Sequence, residues 1–102
     1  LLAILAQLNN EFSPPSGVSD EDLNRLVSEF VIQIDERGEI TDFRLMRESG
    51  TRSFDFAAMR AFRKFQDGRD YLDMGAITNP SLRSDIVERG LRVNMSGEGR
   101  SR

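Results

Sequence analysis

Between residues 27 and 48 two arms of apolar side chains with a period of two flank the triplet Glu36-Arg37-Gly38. Phe30, Ile32 and Ile34 fall on one face of the first arm, and Glu29, Val31, Gln33 and Asp35 on the other, which is the alternation of a half-buried strand. Gly38 can take the positive φ that a short loop demands, so 27–48 is expected to form an antiparallel hairpin. In the second arm Phe43 and Leu45 share a face opposite Arg44 and Met46, while Ile40 falls out of parity. A β-bulge near Thr41 or Asp42 restores it.

Helices are expected on both sides of the hairpin. Leu1, Leu2, Ile4, Leu5 and Leu8 recur at helical spacing, predicting a helix over 1–12 that ends before Pro14. Residues 13–26 form a connector. Within it, Ser19 and Asp22 have the spacing of a weak capping box for a short turn over 20–26, with an irregular acidic loop as the alternative. Ser49-Gly50 breaks the second arm. Phe54, Ala58, Ala61, Phe62 and Phe65 then define a helix over 54–65, with Asp55 in its first turn and Arg60, Arg63 and Lys64 toward its end, as the helix dipole favours. This phenylalanine stripe reads as core rather than as a partner groove. Residues 66–88 read as a long loop, Leu91, Val93 and Met95 alternate in a strand over 90–96, and 97–102 is a polar tail. The whole is one α+β domain, a small antiparallel three-stranded sheet with helices packed on one face.

Composition narrows the chemistry. Fourteen basic and 17 acidic residues leave a net charge of -3, so no nucleic-acid partner is expected. The chain has no His and no Cys, removing the usual general base, the commonest transition-metal ligand and any thiolate site. No cofactor, metal or catalytic residue is expected. Asp20-Glu21-Asp22 lacks the spacing of a calcium loop, and Asp67, Asp70 and Asp73 lack a nucleophile beside them, so both groups read as surface acids. Gly97-Glu98-Gly99 precedes no helix and reads as tail rather than as a phosphate loop. The longest apolar run, 1–6, is well short of the roughly 20 residues that span a bilayer. Because the chain begins within a helical pattern, it is expected to be an excised domain whose upstream part carries any anchor.

Three stretches carry a family resemblance: Phe12-Ser13-Pro14-Pro15; Phe30 through Ile40 with its Asp35-Glu36-Arg37-Gly38 turn; and Ser49-Gly50 followed by Phe54-Asp55-Phe56-Ala57-Ala58. Together they resemble the C-terminal domains of TonB/TolA energy transducers, and a leading helix followed by Pro-Pro leans toward the TolA arrangement. The family's aromatic-x-Pro after the helix is replaced here by Gln66-Asp67-Gly68.

The resemblance implies a non-enzymatic periplasmic domain of an inner-membrane-anchored protein. It would bind outer-membrane receptor or Tol-Pal segments and transmit force derived from the proton gradient, with inner-membrane motor proteins acting on the full-length chain. The resemblance also implies peptide capture at the sheet. The expected partner-binding residues are Leu91, Arg92, Val93, Asn94 and Met95, on a last strand whose outer backbone groups are free to pair. A homodimer through the same kind of edge is the structural alternative, and an enzyme accessory domain a further one.

Overall fold

A computed structural model describes residues 1–98. Its elements run α1 (Leu2–Glu11), α2 (Asp20–Leu23), β1 (Val27–Ile34), β2 (Ile40–Arg47), α3 (Arg52–Arg63), a 3-10 turn (Met74–Ala76), α4 (Pro80–Arg89) and β3 (Leu91–Ser96). The strands form one antiparallel sheet in the order β2-β1-β3, which puts the first strand in the middle and makes the fold α+β.

The parity break in β2 is a bulge at the expected place: Gln33 pairs with Asp42 and Ile34 with Ile40, leaving Thr41 as the extra residue. A second irregularity, where Phe30 pairs with Leu45 and Glu29 with Arg47, makes Met46 extra and was not anticipated. Phe30, Ile32 and Ile34 from β1 and Val93 and Met95 from β3 are all buried. They meet Ile4 and Leu8 of α1 and Phe54, Ala58, Ala61 and Phe62 of α3 in one core. The alanines let α3 come close to the sheet, and the phenylalanines fill the rest: Phe62 lies edge-on to Phe30 at 4.8 Å, and Phe54 edge-on to Phe12 at 5.2 Å.

Ser19 caps α2 by accepting the amide of Asp22, so the short-turn reading of the connector holds, ending earlier than 26. The reading of 66–88 as loop is corrected, because Pro80–Arg89 is helical. Asn79 caps it by accepting from Ser81 and Leu82, Pro80 occupies the first turn, and Gly90 closes it. These were ordinary boundary signals. What was missing was an apolar stripe, since only Ile86 of this helix is buried. The stretch before α4 is also packed, with Leu72, Met74 and Ile77 in the core. Residues 99–102 of the expected tail, Gly99 of the glycine pair included, lie outside the described residues.

Candidate partner-binding edge

β3 starts where Gly90, at φ 85°, turns the chain out of α4 with no room for a side chain, since a Cβ there would lie 2.8 Å from the Ile32 carbonyl oxygen. From that point β3 runs antiparallel to β1, with Ile32 opposite Leu91, Phe30 opposite Val93 and Ser28 opposite Met95. Just beyond the strand, the Gly97 amide donates to the Leu26 carbonyl at 2.9 Å. In an antiparallel ladder paired residues alternate between exchanging hydrogen bonds and not exchanging them, so this bond fixes the phase. Leu91, Val93 and Met95 direct their backbone groups at β1, whereas Arg92, Asn94 and Ser96 direct theirs outward. No backbone partner meets the outward groups of Arg92 and Asn94 among the described residues.

Side chains follow the same alternation. Val93 and Met95 are buried, Leu91 is half-buried, and Arg92 and Asn94 are exposed. β3 is therefore anchored by every second residue and offers the residues between them to solvent, with both backbone hydrogen-bonding groups and side chains available. Arg92 does not project alone, for its guanidinium lies 3.8 Å from the Glu29 carboxylate across the ladder.

The two acidic groups read from the sequence as surface acids lie apart from this edge. Asp67, Asp70 and Asp73 are exposed, and Asp70 is occupied in accepting the Tyr71 amide. Among the described residues no group of three or more carboxylates is placed to hold a metal ion. Asp22 pairs with Arg25. Sequence reasoning passed over Phe56, which lies off the buried stripe of α3 and is 51% exposed. Its position two residues after Phe54 was the available signal, because neighbours two apart on a helix cannot share a face.

The model of the TonB C-terminal family matches residues 2–67. The chain belongs to the TonB C-terminal family. The matched part of this TonB-family domain holds the hairpin, α3 and its Ser49-Gly50 approach. Gly50 sits there at φ 95°, and the buried Asp55 carboxylate accepts the Ser49 amide at 3.1 Å, so the motif's Asp holds the turn in front of its own helix. β3 lies beyond the match. The domain is also similar to a solved structure of TolAIII bound to a peptide derived from the N-terminus of TolB. That likeness has 22% sequence identity and a TM-score of 0.67, and covers 92% of this chain and 68% of the other. It is a likeness of fold. No curated protein matches the sequence.

Proposed function

We propose that this domain is a non-catalytic, peptide-capturing domain of a TonB/TolA-type energy transducer. It works in the periplasm as part of an inner-membrane-anchored protein, and grips segments of outer-membrane receptors or of Tol-Pal components. The observation that carries the reading is the free outer edge of β3 in a TonB-family domain, supported by the fold likeness to a TolA domain holding a TolB peptide. A partner strand laid along Leu91 to Met95 would pair with the outward backbone groups of Arg92 and Asn94. Affinity then comes from the backbone, and Arg92 and Asn94 tune the choice of partner. The domain passes tension from the bound segment into the centre of the sheet, since β3 is hydrogen-bonded to β1 along its length.

The test is an NMR titration of the labelled chain with a TolB N-terminal peptide and with periplasm-facing segments of outer-membrane receptors. Amide shifts should centre on 91–95. Asn94→Pro removes an outward donor without touching the ladder to β1 and should abolish capture, while Arg92→Ala should weaken it only a few-fold. Shifts confined to 67–78, with Asn94→Pro binding normally, defeat the reading. The open edge also suits self-pairing, and concentration-dependent sedimentation of the free chain would favour a homodimer instead.

A further inference from the structure

Placing β1 in the centre gives the sheet a second edge, the outer side of β2. The ladder phase fixed at Gly97 also decides what that edge presents. Phe30 and Ile32 direct their backbone groups at β3, so their partners across β2, Leu45 and Phe43, turn theirs away from the sheet. The start of this edge is closed, because the Ile40 amide donates to the Phe65 carbonyl at 2.8 Å. Beyond it the amides and carbonyls of Phe43 and Leu45 meet no partner among the described residues. The bulges at Thr41 and Met46 bound the open run, so it is short.

α3 forms a wall beside this edge. Arg52, Phe56, Met59 and Arg63 follow one another at steps of four, three and four, so they share a helix face. The Arg63 guanidinium lies 5.9 Å from the centre of the Phe43 ring, fixing that face against the edge of β2. At the other end a hollow of about 270 Å³ opens between Leu45, Gly50, Arg52, Phe56 and Met59, with Glu48 and the buried Asp55 also on its wall, so the cationic side of the groove is the α3 face that carries Arg52 and Arg63. Phe56 is about half exposed at 51%, and neither Arg52 nor Arg63 has a carboxylate within ion-pair distance among the described residues.

We infer that the outer edge of β2 and the adjoining face of α3 form a second docking groove, separate from β3, for an extended acidic segment of a partner protein. Three observations select this occupant. The unpaired amides and carbonyls of Phe43 and Leu45 call for a polypeptide backbone, which a lipid surface does not supply. The hollow beside Phe56 and Met59 takes an apolar side chain from every second position of such a strand. Arg52 and Arg63, unpaired on a chain of net charge -3, complement carboxylates on the same segment. The two edges lie on opposite sides of β1, so the domain can hold two segments at once.

The probe is a capped seven-residue peptide of alternating aspartate and valine, titrated into the labelled 102-residue chain, with a lysine-for-aspartate peptide beside it. The aspartate peptide should shift the amides of Phe43, Leu45, Phe56 and Met59 and slow hydrogen exchange at Phe43 and Leu45. The Arg52→Glu, Arg63→Glu double variant should bind it about tenfold or more weakly and gain affinity for the lysine peptide, a reversal that unfolding cannot mimic. Asn94→Pro should leave this binding unchanged. Shifts that move instead to 91–95 and vanish in Asn94→Pro overturn the second groove while leaving the β3 reading intact. Equal binding of both peptides by the unaltered chain also overturns it. So does a response of Phe56 and Met59 to phosphatidylglycerol vesicles but not to the aspartate peptide, which would make the face a lipid contact.

Discussion

The Cβ that Gly38 lacks would stand 2.1 Å from the carbonyl oxygen of Leu72. The two residues also share a hydrogen bond, the Leu72 amide donating to the Gly38 carbonyl at 2.8 Å. The hairpin turn is thus a seat for the segment that follows α3, as well as a reversal between two strands. Gln7 holds the same segment from the other side: its side-chain amide donates to the Tyr71 carbonyl at 3.2 Å, and its oxygen accepts the Asp73 amide at 2.7 Å.

Gly38→Ala should therefore be disruptive beyond its effect on the turn. At φ 96° any side chain is strained, and here it also meets backbone that cannot step aside. The expected loss is about 2 kcal/mol or more in chemical denaturation. Exchange protection at the Leu72 amide should fall as well. An unchanged midpoint would mean that the close approach is not maintained in solution.

Phe62→Ala removes a fully buried ring that packs edge-on to Phe30 and lies 5.4 Å from Phe43. A cavity at this junction of α3 with two strands should destabilise the domain by about 3 to 5 kcal/mol. A urea-unfolding difference below about 1 kcal/mol would show that the side chain faces solvent.

Asp55→Ala strips the acceptor from the Ser49 amide at a site where the carboxylate is only 5% exposed. An unpaired amide at the entrance of α3 should lower stability by about 1 to 3 kcal/mol. Asp55→Asn keeps an acceptor oxygen and should lose less. If thermal unfolding ranks the two variants alike, the bond to Ser49 contributes nothing and the carboxylate acts through its charge at the helix start.

Acid unfolding should contain a contribution from Asp35. Burial pushes this carboxyl up, but the amides of Glu39 and Arg37 donate to it, and with the Arg37 charge they outweigh burial and hold it below its ordinary 3.8. A carboxylate depressed in the folded state stabilises above its unfolded pKa, and that share is lost as pH falls through the folded value. The stability gap between the unaltered chain and Asp35→Asn should hence be steady near neutrality and shrink below about pH 4. A gap that does not change down to acid unfolding would mean that the turn amides do not favour the charged form.

Much of this domain was written in local periodicity. The alternation of Phe30, Ile32 and Ile34 specified β1, and the misfit of Ile40 pointed to a bulge near Thr41 or Asp42, which the register places at Thr41. The stripe from Phe54 to Phe62 specified the buried side of α3, and Phe65 is buried just past its end. Such patterns are legible because one-sided burial imposes the element's own period on its apolar residues. α4 escaped because its ends were marked but its face was not, a single buried Ile86 being too little to set a period. Residues 66–79 escaped for a related reason: Leu72, Met74 and Ile77 are buried in the common core without forming a repeating element, and the segment is held by Gly38 at Leu72 and by Gln7 at Tyr71 and Asp73, both distant in the chain.

An open edge at the last strand was an expectation of the resemblance, but which of its residues turn their backbone groups outward was not legible in the sequence. The alternation of Leu91, Val93 and Met95 identified a strand with an apolar face, but an edge exists only relative to a neighbour. That neighbour was chosen when β3 paired with β1 rather than with β2. The pairing leaves Arg92 and Asn94 facing out on one side and Phe43 and Leu45 on the other. Side-chain pattern records which face of a strand is buried, whereas long-range hydrogen bonding decides which side of it is free.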